Sequence, residues 1–244
     1  MSHELRTLLH AIIGHAELLS EDSADPAVRE KVAQIDAAAY DLLHAVEQLL
    51  ELTKIESGKI TLCYGTIELK PFISDIFEHA KRRCTGPDIH LRLQSDPRVK
   101  ELVVDSQRLR HILDGLLSNA LKYTKCGLID LIVEAVSKEG PPFMQFVVSD
   151  TGIGTDARQK KNLFQPFSQA DGSSTRRYGG FSIGLAVSNA LARHMDDALN
   201  VRSTFGQGSA FELVLPRNPD IEQSAAEQQS ETAARLAGAV RISS

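Results

Sequence analysis

Two long amphipathic stretches open the chain, and they limit its fold more than any other feature. Leu5, Leu8, Leu9, Ile12, Ile13, Ala16 and Leu19 recur at helical spacing and predict a helix over 1–20. A polar turn, 21–26, follows. Ser23 and Asp25 there suit a helix N-cap, and Pro26 suits a first helical position. Val32, Ile35, Ala39, Leu42, Leu43, Val46, Leu49, Leu50, Leu52 and Ile55 then predict a second helix over 27–56, roughly 45 Å long at about 1.5 Å per residue. Two such helices joined by a short turn make an antiparallel hairpin. Its apolar stripe is too broad for one hairpin to bury. A second copy completing a four-helix bundle would cover it, which predicts a homodimer; the alternative is a hairpin packed on its own C-terminal domain.

Ser57-Gly58 ends the second helix, and the pattern then changes. The sequence predicts a short strand and turn at 60–66 and a helix from Pro71 to Arg83. Further strands are expected at 88–94, 102–104, 128–136, 143–149 and 209–215, with helices at 106–122 and 183–195. Hairpin-like links such as 138–142 favour a mixed, largely antiparallel sheet with helices on one face. The chain thus divides into a helical hairpin at 1–60, an α+β domain at 66–217 and a polar tail or linker at 218–244.

Net charge is −5, which argues against nucleic acid as a partner. Cys63, Cys84 and Cys126 are odd in number and widely spaced, so neither a disulfide framework nor a zinc site is indicated and a reduced, cytoplasmic setting is expected. No apolar run reaches membrane-spanning length and no signal peptide opens the chain, so no membrane contact is expected of this stretch. The abrupt start inside a helix suggests a piece of something longer, whose remainder could be membrane-anchored.

Four stretches of the second domain carry chemistry. Asn119-Ala-Leu-Lys122-Tyr123-Thr124 ends a helix; an Asn amide oxygen suits a hard cation such as Mg²⁺, and a lysine suits phosphate as a point charge. Asp150-Thr-Gly152-Ile-Gly154 follows a strand; a carboxylate there can accept from an exocyclic amine, and glycines permit close backbone approach. The same glycines, with Ala157 and Asp171, fit a loose dinucleotide fingerprint, but no parallel βαβ unit surrounds them. Leu163-Phe164-Gln165-Pro166-Phe167-Ser168-Gln169 reads equally as a core anchor or a functional loop. Ser174-Thr-Arg176-Arg177-Tyr-Gly179-Gly180-Phe181-Ser182-Ile-Gly184-Leu185 is a glycine-rich loop feeding a helix N-terminus. Such a loop cradles phosphate on free N–H groups, and the two arginines add charge.

In this order the stretches resemble the asparagine box, first glycine box, phenylalanine box and second glycine box of sensor histidine kinases, hybrid kinases included, in the gyrase, chaperone, histidine kinase and MutL (GHKL) ATPase superfamily. Ser2-His3-Glu4-Leu5-Arg6-Thr7 is similar to the family's phosphoacceptor box, and Lys54-Ile-Glu-Ser-Gly58 to the end of its dimerisation hairpin. The resemblance implies an α-helical hairpin followed by an α+β sandwich of the GHKL ATPase type. It implies ATP and Mg²⁺ as cofactors, a homodimer, and a response-regulator receiver domain as partner. By it His3 is the phosphoacceptor, Glu4 the base, and Thr7 a residue that orients water when the kinase runs backwards as a phosphatase. Asn119 holds Mg²⁺, Lys122 contacts phosphate and Tyr123 flanks adenine. Asp150 accepts from the adenine amine, with Gly152 and Gly154 giving room. Arg176 or Arg177 with Gly179, Gly180, Ser182, Gly184 and Leu185 closes over the triphosphate as a lid.

The chain departs from the family pattern at Leu8, where a proline is usual and whose absence predicts a straighter first helix. Gly115 stands for an asparagine, Phe181-Ser182 for Thr-Gly, and Asp196-Asp197 for a glycine pair. These departures motivate a reading of another class, a weakly catalytic or non-catalytic dimeric scaffold or phosphotransfer module.

Overall fold

The computed structural model describes residues 2–22, 25–136, 143–166, 183–195 and 199–216. Helix α1 (Ser2–Asp22) passes through Leu8 without a break. Helix α2 (Pro26–Glu56) starts on Asp25, whose carboxylate accepts from the Ala27 N–H at 2.9 Å with Pro26 in the first turn. This cap supplies an acceptor for a first-turn amide that would otherwise have none. The helices are antiparallel: Arg6 pairs with Glu47 at 3.4 Å, and the Tyr40 hydroxyl donates to Glu17 at 3.4 Å.

Strand β1 (Gly65–Glu68) leads into helix α3 (Leu69–Arg83), followed by β2 (Ile89–Ser95), β3 (Glu101–Val104) and helix α4 (Ser106–Tyr123). Then come β4 (Gly127–Val136), β5 (Phe143–Asp150), the short helix α5 (Ala157–Asn162), α6 (Gly184–His194), β6 (Asn200–Thr204) and β7 (Gly208–Pro216). Five of these strands form one sheet in the order β2-β4-β5-β7-β6. Its β2–β4 pair is parallel and the others antiparallel, while β1 and β3 pair separately. The expected mixed sheet is present. The strand expected at 60–66 lies instead at Gly65–Glu68, because its partner is Glu101–Val104, and 59–64 runs as a connection. Helix α3 begins two residues before Pro71, which sits inside the first turn where a missing N–H is tolerated. Strand β6 and helix α5 were not foreseen; β6 alternates polar and apolar too weakly, and α5 is polar after Ala157 and so shows no apolar period.

Alternation makes one face of the sheet apolar. Met144, Phe146 and Val148 of β5 and Phe211, Leu213 and Leu215 of β7 point inward against Leu109, Ile112, Leu113, Leu116 and Leu117 of α4. Ala45, Leu52 and Ile55 of α2 belong to this same core. A smaller cluster of Leu9, Ile13, Ala39 and Leu43 holds the hairpin together. The alternative in which the hairpin packs on its own domain is therefore met in part. The hairpin does pack on its own domain through the C-terminal half of α2, yet Leu8, Ile12, Leu18, Leu19, Ile35 and Leu42 stay exposed. The 218–244 tail lies outside the described residues.

Candidate nucleotide site

Helix α4 carries the first part of the site. Asp105 caps it, accepting from the Arg108 N–H at 3.0 Å. Its leucines and isoleucines turn into the core at helical spacing, and this leaves Asn119, Lys122 and Tyr123 off the core face at the last turn. The Lys122 ammonium lies 5.5 Å from the Tyr123 ring centroid, within cation–π range. Partial burial lowers the Lys122 ammonium below its ordinary range, although the side chain keeps solvent contact, and the Asp41 carboxylate of α2 opposes that shift. Burial also raises the Tyr123 phenol.

The loop after β5 is fastened to the end of α4. The Ile153 N–H donates to the Tyr123 carbonyl at 3.3 Å, and the Gly206 N–H to the Ile153 carbonyl at 2.7 Å. The Asp150 carboxylate accepts from the Gly152 N–H at 2.8 Å. Burial pushes the Asp150 carboxyl above its ordinary value, against the backbone N–H groups of Gly152 and Ser209, which favour the ionised form. A Cβ at Gly152 would lie 2.4 Å from the Tyr123 carbonyl oxygen and 2.9 Å from both Asp150 Oδ1 and Thr124 Oγ1. Only glycine lets these three groups converge. Gly154, at φ +62°, faces the protein's own backbone: a Cβ there would meet the Thr204 carbonyl oxygen at 2.0 Å. Its glycine is thus required by the fold, independent of any ligand.

Thr124 is the residue that sequence reasoning quoted but did not assign. It is 3% exposed, and its hydroxyl has no hydrogen-bond partner among the described residues. A buried orphan hydroxyl is costly unless a ligand or water satisfies it. With the Asp150 carboxylate beside it, the pair offers an acceptor and a donor-acceptor at one spot, which fits the amine and ring-nitrogen edge of adenine. Among the described residues no cluster of three or more His, Cys, Asp or Glu could hold a metal. Mg²⁺ here would rest on Asn119 and on phosphate oxygens, the usual arrangement for this ion.

Helix α6 begins at Gly184, with Leu185 half-buried against the core. It runs in the same direction as α2: Gly184 lies beside Gln48, and His194 Nε2 lies 2.7 Å from the Ile60 carbonyl oxygen. It also packs closely on α4, where a Cβ at Gly115 would come within 2.8 Å of Ser188 Oγ. Gly115 therefore meets α6, and its lack of a side chain permits the helix contact. Phe164 packs on the core, as a core anchor should. The structure thus brings together Tyr123, Asp150, Gly152 and Gly154 at one end of the site, with Asn119 and Lys122 on the adjoining turn of α4. Arg176, Arg177, Gly179, Gly180 and Ser182 lie outside the described residues. His3 and Glu4 lie on α1, but their side chains are also outside the described set; Thr7 is exposed on the next turn.

Comparison with known proteins agrees with this architecture. Residues 1–58 match the family described as His Kinase A (phospho-acceptor) domain, and residues 104–219 match Histidine kinase-, DNA gyrase B-, and HSP90-like ATPase. The chain is 33% identical over 230 residues to the autoinducer 2 sensor kinase/phosphatase LuxQ of Vibrio cholerae, covering 91% of this chain and 27% of that protein. It is 33% identical over 228 residues to the signal transduction histidine-protein kinase BarA of Escherichia coli K12, covering 91% of this chain and 24% of that protein. It therefore spans about a quarter of the length of these relatives. The crystal structure of full-length ShkA in complex with AMPPNP superposes with a TM-score of 0.73 at 27% identity, over 88% of this chain and 44% of that one. With a phosphoacceptor hairpin and a GHKL-type ATPase domain joined in this order, the chain belongs to the histidine kinase family and carries its catalytic core.

Proposed function

We propose that this core binds Mg²⁺-ATP between α4, the β5 loop and the start of α6, and transfers the γ-phosphoryl group to His3. The observation that carries the reading is the height of α6 on the hairpin. Arg6 of α1 is level with Glu47 of α2. Residue 3 then lies level with about residue 50, and Gly184 packs beside Gln48, so the phosphate-binding end of α6 and the phosphoacceptor position differ by only about 3 Å along the hairpin axis.

In the transfer, a ring nitrogen of His3 forms the N–P bond as the bond from γ-phosphorus to the ADP oxygen breaks. Glu4 takes the proton from the other ring nitrogen. Asp150 and Thr124 fix the adenine edge, and Lys122 with the loop before α6 holds the phosphates; bound Mg²⁺ would neutralise charge on the phosphate oxygens. Catalysis of this kind rests on positioning and charge. The phosphoryl group then passes to an aspartate on the receiver domain of a response regulator, and Thr7 serves the reverse, phosphatase direction. The exposed stripe of Leu8, Ile12, Leu18 and Leu19 supports a homodimer formed through the hairpin.

Labelled ATP with Mg²⁺ should give the protein an acid-labile, base-stable label. His3→Gln should abolish it, and Asp150→Asn should abolish nucleotide binding. Equal labelling of His3→Gln would remove His3 from the role. A wild type that binds nucleotide but gains no label would favour the scaffold or phosphotransfer reading.

A further inference from the structure

The hairpin helix α2 sends a stripe of side chains into the edge of the nucleotide site. Ala45 is buried in the core shared with the ATPase domain. Gln48, one turn along, lies against Gly184: a Cβ added there would sit 3.3 Å from Gln48 Nε2 and 3.9 Å from Oε1. Asp41, one turn back, acts electrostatically on Lys122. Residues 41, 45 and 48 fall on one helix face. At α6 the Ile183 cap supplies no side-chain acceptor to the first-turn N–H groups, so that end of the helix offers donors to an anion. Gln48 is half-buried beside these donors.

From this contact we infer that Gln48 is a positioning residue for the terminal phosphate of ATP, donating its amide N–H to the same anion that the start of α6 receives. The inference rests on the nucleotide site proposed above. The terminal phosphate is singled out because it must travel to the hairpin, and Gln48 stands on the hairpin at the height of the phosphoacceptor. ADP lacks that phosphate, so Gln48 distinguishes the two nucleotides. Gly184 then has a second purpose: its missing side chain lets the carboxamide reach the helix start. Asp41 sets the opposing sign at the other end of the stripe, since its carboxylate competes with phosphate for Lys122.

The test compares Mg²⁺-AMPPNP and Mg²⁺-ADP binding by titration calorimetry on the full chain. Gln48→Ala should weaken AMPPNP at least about tenfold and leave ADP within about twofold, the scale of one charge-assisted hydrogen bond lost. Gln48→Glu, which sets a carboxylate against the phosphate, should weaken AMPPNP more than about tenfold with a much smaller effect on ADP. A side chain that merely packs the helices together would weaken both nucleotides alike. Equal losses, or none, in both variants overturn the inference while the nucleotide site stands. A wild type that binds neither nucleotide overturns the site and this inference with it. If Gln48→Glu fails to fold, Gln48→Ala decides alone.

Discussion

The hairpin and the ATPase domain are built from similar aliphatic side chains but finish their cores differently. In the domain, Leu109, Ile112, Leu113, Leu116, Phe146 and Leu213 are fully removed from solvent. In the hairpin, the seam of Leu9, Ile13, Ala39 and Leu43 is small, while Leu8, Leu18, Leu19 and Ile35 remain more than half exposed. A sheet covered by helices closes its own core, whereas a two-helix unit has a second apolar side that needs another surface. Part of α2 finds that surface on α6 and α4, and the remainder of the hairpin's apolar side stays exposed in the single chain.

The comparison breaks most directly at the two cores. Phe146→Ala should destabilise the ATPase domain by about 3–5 kcal/mol, the range for truncating a fully buried aromatic, read as a lower midpoint in denaturant unfolding. Leu19→Ala, at a position 58% exposed, should leave that transition unmoved. An equal loss at both positions would mean the hairpin core is as closed as the domain core.

Next in size is the paired change Leu8→Glu with Ile12→Glu. Both positions are exposed in the single chain, so monomer folding should be nearly unaffected. Dimerisation should weaken on the order of a hundredfold or more, because two charges enter an apolar interface. Light scattering across a concentration series checks this, and an unchanged dimer would place the interface elsewhere.

A smaller effect is expected at Gly115, inside the domain. Gly115→Ala puts a Cβ 2.8 Å from Ser188 Oγ, an overpacking worth about 1–3 kcal/mol. Ser188 is fully buried and its hydroxyl has no partner among the described residues, so adding Ser188→Ala should recover most of the loss. Additive losses in the double variant would show that the two helices are not in contact there.

Much of this was legible in the sequence, for identifiable reasons. The long periods of α1, α2 and α4 are strong signals because burial of one face repeats every turn. Asp150 and its glycines were readable as a strand followed by a tight loop. The reason for Gly154 was not readable, since it depends on a carbonyl of Thr204, contributed by a strand whose own pattern is faint. Gly115 reads as a lost asparagine in one dimension and as a helix contact in three. Asp41 and Gln48 carry no motif at all. They look like the polar face of a hairpin, and only the packing of α4 and α6 against α2 gives them neighbours.

The joint between the two regions supplies the finest measurement. Glu51 of α2 meets two residues of α4, with His111 Nδ1 at 3.2 Å and Arg108 Nη1 at 3.4 Å. Burial alone would raise the Glu51 carboxyl; the His111 hydrogen bond and the charges of His111, Arg108 and Lys54 outweigh it and leave the group below its ordinary 4.5. A carboxylate held down in the folded state stabilises at pH above its unfolded value, and that contribution disappears as pH falls through the folded one. The wild type should therefore keep the Glu51 contribution from neutral pH down to the ordinary carboxylate range and lose it progressively below about pH 4.5. Glu51→Gln should lower stability by about 1 kcal/mol at pH 7, the scale of a partly screened ionic hydrogen bond. The gap between variant and wild type should narrow as pH falls below about 4.5. Thermal unfolding midpoints between neutral and acidic pH measure that gap. A gap that is constant with pH would mean that Glu51 joins hairpin and domain by packing alone.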